Sequence, residues 1–82
     1  MSDTKLFDVR ELDDKLTEQI LREVQKDLEE IGYNAINQIV GYIMSGDLGY
    51  ISSHKECRKK IKSLDRNKII EVLVRNFLTW DI

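Results

Sequence analysis

The chain has no proline, and its 82 residues include only one cysteine, one histidine, one tryptophan and four glycines. A single cysteine excludes an internal disulfide framework and points to a reducing, cytoplasmic setting. It also leaves zinc short of ligands: His54 and Cys57 sit three apart, but no further Cys or His exists to complete three or four. No metal and no cofactor is therefore expected. Gly46-Asp47-Leu48-Gly49 lacks the flanking strand and third glycine of a phosphate cradle, and no nucleophile can be set beside a base, so the chain is read as not an enzyme. No apolar run approaches the roughly 20 residues of a membrane span, which excludes insertion. The opening MSDTKLFDVRELDD is acidic and lacks the basic-then-apolar order of a secretory leader. Positive charge is not in excess either. Thirteen Lys and Arg against fifteen Asp and Glu leave a net charge of −2, which argues against general affinity for a nucleic-acid backbone.

What is present is helical periodicity. Strict alternation hardly occurs, while apolar residues recur at three and four, so the chain reads as all-α, a compact bundle of about four helices. Residues 1–11 are charged and poor in apolar side chains, and are expected to form a flexible N-terminal arm ahead of a single helical domain, 12–82. From Asp13 the spacing predicts a first helix with Leu16, Ile20, Leu21, Val24, Leu28 and Ile31 on one face, closed by Gly32. Asn34 is placed to cap a second helix running to Ser45, with Ile36, Ile39, Val40, Ile43 and Met44 inward. Gly41 within it predicts a close approach of two helices. Ser53 and Glu56 have capping-box spacing and predict a third helix opening near His54, with Cys57, Ile61 and Leu64 as its apolar stripe.

Asp65 then caps a fourth helix, Arg66 to Thr79. Its Ile69, Ile70, Val72, Leu73, Val74, Phe77 and Leu78 cover nearly the whole circumference. Such a helix needs cover on more than one side, which predicts a homodimer with Val72, Val74, Phe77, Leu78 and Trp80 at its interface. Tyr33, Tyr42 and Tyr50 follow no helical repeat and read as half-buried core residues.

Charge is divided unevenly. Residues 1–31 carry ten acidic and five basic side chains, residues 32–82 five acidic and eight basic. Lys55, Arg58, Lys59 and Lys62 share one face of the third helix, opposite Cys57 and Ile61, and are candidates for docking a phosphate or an acidic partner. The bland reading of that run is a solvated face. The alternative functional one is a small nucleic-acid-binding regulator using residues 55–62. Against it stand a connection from Ser45 to His54 longer than a helix-turn-helix turn, and a lack of side chains suited to reading base edges.

The run Gly32-Tyr33-Asn34-Ala35-Ile36-Asn37-Gln38-Ile39-Val40-Gly41-Tyr42 is followed by Ser45-Gly46-Asp47, Tyr50-Ile51, Ser53-His54-Lys55, Arg58, Ile61, Leu64, Arg66 and Val72–Arg75. In that order these residues resemble the IreB-like family of small bacterial regulatory phosphoproteins. The resemblance covers about residues 19–78, and Asp3-Thr4-Lys5-Leu6-Phe7 looks like the family's acidic-Thr-basic-aromatic start. It implies a helical homodimer that is a substrate of a bacterial transmembrane Ser/Thr protein kinase in cell-envelope signalling. It also implies a phosphoacceptor at Thr4 and a downstream protein partner not named by the residues. Ser2 is only a neighbour of that position. Ala35 and Leu48 stand where proline is common in the family, and residues 1–11 hold a single threonine.

Overall fold

The computed structural model of the protein describes residues 9–79. They form four α-helices joined by turns: α1, Val9–Glu30; α2, Ala35–Ser45; α3, Cys57–Lys62; and α4, Arg66–Thr79. Two short 3-10 turns, Leu48–Tyr50 and His54–Glu56, lie between α2 and α3, and no strand occurs among the described residues. The all-helical expectation holds. The first helix begins at Val9, so the last residues of the expected arm, 9–11, are helical.

α1 is the spine against which the other helices pack. Its buried positions are Thr17, Leu21, Val24, Asp27 and Leu28, spaced three and four apart as one face of a helix requires. The stripe is rotated from the expected one, because Leu16 and Ile31 are 53% and 41% exposed while Thr17 and Asp27 take places in the interior. Thr17 satisfies its hydroxyl by donating to the Asp13 carbonyl at 3.0 Å, one turn back. At the C-terminus Gly32 adopts φ +83°, and Gly32 and Tyr33 donate to the carbonyls of Glu29 and Leu28 at 3.0 and 3.1 Å. That paired bonding is a Schellman closure, and it lets the chain reverse into α2.

Asn34 caps α2 as expected, its Oδ1 accepting from Asn37 N at 2.9 Å. α2 ends at Gly46, φ +75°, which donates to Tyr42 O at 2.7 Å; Arg66 then donates from Nη1 to Ile43 O at 2.9 Å. A guanidinium on the last carbonyls complements the negative end of the helix. Gly41 does permit a close approach, though to a ring rather than a helix: a Cβ there would lie 2.5 Å from Tyr50 Cδ1.

The expected capping box is absent. Ser53 makes no side-chain cap bond, and α3 begins at Cys57 rather than near His54. Instead Ser52 Oγ accepts from His54 N at 3.1 Å, and Ser52 N donates to Gln38 Oε1 at 2.9 Å, tying the loop to α2. Lys55 and Glu56 then take left-handed φ of 50° and 63°. Left-handed geometry costs a non-glycine residue about 1 kcal/mol or more. Here it turns the chain so that Cys57 enters the interior while Lys55 reaches α1.

Leu28, Ile51, Ile61 and Ile69 are fully enclosed and are the largest such side chains, with Val24, Cys57 and Val72 beside them. Each side chain of that size contributes about 1.5–3 kcal/mol on burial. Of the three tyrosines only Tyr42 is buried; Tyr33 and Tyr50 are about half exposed.

Candidate functional site

Three surface features converge on α1. The first is the basic run. Lys55 Nζ lies 2.8 Å from Glu30 Oε1, Lys60 Nζ 2.6 Å from Asp27 Oδ2, and Lys59 Nζ 3.5 Å from Glu56 Oε1. Arg58 donates from Nε to Ile51 O at 2.7 Å, and Lys62 is exposed. The four cations singled out from the sequence therefore do not form a bare patch. Two of them are drawn onto carboxylates, and Arg58 braces a loop carbonyl. The Lys60–Asp27 pair is the structural one, because the Asp27 side chain is only 7% exposed. The hydrogen bond from Lys60 holds the Asp27 carboxyl below the usual range against the opposing effect of burial, and the same bond raises Lys60. Lys55 likewise depresses Glu30 and is itself raised by it. His54 Nε2 is buried without a hydrogen-bond partner, 3.8 Å from Glu30 Oε1. Burial pushes the Cys57 thiol up, which makes it a core residue rather than a nucleophile.

The second feature is an ion-pair clasp between the start of α1 and α4. Asp14 meets Lys68 Nζ at 2.7 Å and also accepts from Arg75, which in turn holds Glu71; Asp13 lies 3.6 Å from Lys68. Lys68 first, and Arg75 with it, keeps the Asp14 carboxyl below its ordinary range. Farther along, Asn76 Nδ2 donates to Glu18 Oε2 at 3.2 Å.

The third is a groove of about 290 Å³ between α1, α2 and α4. Leu21, Ile36, Ile39, Val40, Ile43 and Leu73 line it, together with Glu18, Arg22, Gln25 and Asn76. Ile36, Val40 and Met44 recur every four residues along α2 and are 69%, 50% and 79% exposed, although the spacing had turned them inward. On α4, Val74, Phe77 and Leu78 are 50%, 75% and 72% exposed, while Val72 is closed off at 1% by its own chain. Val72, though enclosed within the protomer, is also among the residues that line the groove. Trp80, Thr4 and Ser2 lie outside the described residues.

Sequence reading missed Asp27 and the Asp14–Lys68–Arg75 clasp. Asp27 had a signal, since it falls on the apolar side of α1 between Val24 and Leu28, where a carboxylate demands a partner. The clasp had none, because it joins residues about sixty positions apart.

Among the described residues, no three His, Cys, Asp or Glu side chains come together as a metal site, and no helix is long and apolar enough to cross a membrane. The groove's ionisable lining is one Glu and one Arg, with no nucleophile. These features define, as a class, a small protein that is all-helical across its described residues. Residues 2–79 match the family described as IreB regulatory phosphoprotein, nearly the whole chain. The chain belongs to that family, and the coarse function that follows is regulation in which phosphorylation takes part.

Proposed function

We propose that the protein is a non-catalytic cytoplasmic regulator that works as a homodimer and is phosphorylated at Thr4 by a bacterial Ser/Thr protein kinase. The observation that carries this reading is the family match across residues 2–79, joined to an apolar face left open on α2 and α4. A second copy is the natural cover for that face. The groove holds Glu18 and Arg22 one helical turn apart, so a two-fold pairing can set each opposite its counterpart of unlike charge. Val74, Phe77, Leu78 and Trp80 extend the proposed interface. Lys55, Arg58, Lys59 and Lys62 then serve a downstream protein partner with an acidic surface, which would compete with Glu30 and Glu56 for the lysines.

The phosphorylation step is tested by incubating the protein with its cognate kinase and mapping sites by mass spectrometry. Modification at Thr4 is expected, and its absence throughout residues 1–10 would contradict the reading. The alternative, a nucleic-acid-binding regulator, requires a salt-dependent gel shift near physiological ionic strength. None is expected, because Lys55 and Lys60 are already neutralised by α1.

A further inference from the structure

We propose that His54 is a proton-operated switch at the C-terminal end of α1: its imidazolium takes the Glu30 carboxylate from Lys55 and returns Lys55 to solvent. The exchange stands on the geometry around one carboxylate oxygen, whether or not an acidic partner uses the basic run.

Histidine is the side chain whose ordinary change of charge falls between about pH 5 and 8. This chain has one, His54. Its Nε2 is closed off from solvent, makes no hydrogen bond, and stands 3.8 Å from Glu30 Oε1. The same oxygen accepts from Lys55 Nζ at 2.8 Å. Two groups able to carry positive charge thus converge on one acceptor, and the nearer one holds it. A neutral ring with its proton on Nδ1 turns a lone pair toward the carboxylate, which accounts for the stand-off.

Protonation reverses the sense of that contact, because Nε2 gains a hydrogen facing an acceptor just beyond bonding range. An imidazolium left unpaired at an enclosed nitrogen is costly, whereas a lysine can take its charge back into water. The two competitors differ in that respect. The His54 side chain is 31% exposed and its backbone N is tied to Ser52 Oγ at 3.1 Å, while the Lys55 side chain is 53% exposed. Lys55 is the one that leaves.

The surrounding charges agree with an exchange. On α1, Asp27 is held by Lys60 and lies close enough to feel the ring's charge, and Lys26 flanks Glu30. Lys55 and Glu56 stand in the turn itself, Glu56 being engaged by Lys59, and α3 brings Lys60 and the Cys57 thiol, which burial keeps neutral. Asp27 and Glu30 favour the imidazolium, while Lys26, Lys55 and Lys60 oppose it. Releasing Lys55 removes the opponent that shares its acceptor. Glu30 stays paired before and after, so the exchange alters the surface more than the stability. It adds one positive charge beside Arg58, Lys59 and Lys62 and frees the Lys55 ammonium; on the reading that this run meets an acidic partner, mild acid primes it.

The test is a pH titration of the full chain followed by NMR at the His54 ring and the Lys55 ε-methylene. Both should change at one midpoint: the ring protons shift, and the two Lys55 Hε signals, inequivalent while the ammonium is held, merge as it is freed. Glu30→Gln should lower the His54 midpoint by about half a unit or more, since no carboxylate then favours the charged ring at that position. Lys55→Gln should raise it by a similar amount, because the competitor is gone. Both positions are exposed, so these variants keep the fold. Lys55 Hε signals that pass unchanged through the His54 midpoint, or a midpoint that ignores Glu30→Gln, would overturn the switch. No partner enters the measurement, so its outcome is independent of whether the basic run docks one.

Discussion

The two ends of α1 solve the same problem differently. Toward its C-terminus, Val24 and Leu28 meet Cys57, Ile61 and Ile51 in a closed interior, and the single charged intruder, Asp27, is answered by Lys60 at 2.6 Å. Toward its N-terminus charge joins it to α4, through Asp14, Lys68 and Arg75, and Leu12 and Leu16 on that stretch stay exposed. The first end completes itself within one chain. The second relies on ion pairs at the surface.

The comparison breaks most readily by deletion of side chains on either side. Ile61→Ala, at a fully enclosed position, should cost about 3 kcal/mol in urea unfolding, while Leu12→Ala, on the exposed side of α1, should cost about 1 kcal/mol or less. Equal costs would mean that the two ends of α1 are equally buried.

Gly41 offers a sharper test, since its effect should change sign with context. Gly41→Ala should destabilise by about 1 kcal/mol, because the new methyl meets the Tyr50 ring and overpacking outweighs helix propensity. In a Tyr50→Ala background the same substitution should stabilise by about 0.5–1 kcal/mol, the propensity gain alone. A Gly41→Ala cost that survives removal of the ring would refute the packing explanation.

Acid should weaken the molecule through its ion pairs. Asp14, Asp27 and Glu30 are held below ordinary values of 3.8, 3.8 and 4.5, so the unfolded chain binds protons first as pH falls. Their contribution is complete above about pH 5 and is lost progressively below it. Lys55, Lys60 and Lys68 are raised above 10.5, so their share is complete below that value and lost only at higher pH. Urea midpoints should therefore be level from neutral to about pH 9 and fall from pH 5 to 3, with a shallower fall in Asp14→Asn. A midpoint unchanged down to pH 3 would contradict the assigned pairs.

The smallest effect belongs to the left-handed turn. Glu56→Asn should stabilise by about 0.5 kcal/mol, since Asn tolerates φ +63° better and the exposed Lys59 pair adds little. A loss of stability on that change would mean Glu56 has a partner role beyond the turn.

The helices and their punctuation were legible in the sequence because their causes are local. Asn34 caps three residues ahead, Gly32 and Gly46 take positive φ where periodicity stops, and the fourth helix spans the expected Arg66 to Thr79. Facing was less legible. α2 is apolar on more than one side, so spacing alone could not tell Tyr42, which is buried, from Ile36 and Met44, which are not. The basic run looked like a patch because the carboxylates that meet it come from Asp27 and Glu30, more than twenty residues earlier. Ser53 and Glu56 matched a capping pattern that lost to Ser52 and its bond from His54, a competition that only the three-dimensional path of the loop decides.

The open α2–α4 face is tested most directly by the mass of the particle in solution. Light scattering at micromolar concentration should report about twice the 9.6 kDa of one chain, reverting to a single chain in Val40→Glu/Met44→Glu. A particle of 9.6 kDa for the unaltered protein would contradict the account, leaving that face without the cover assigned to it.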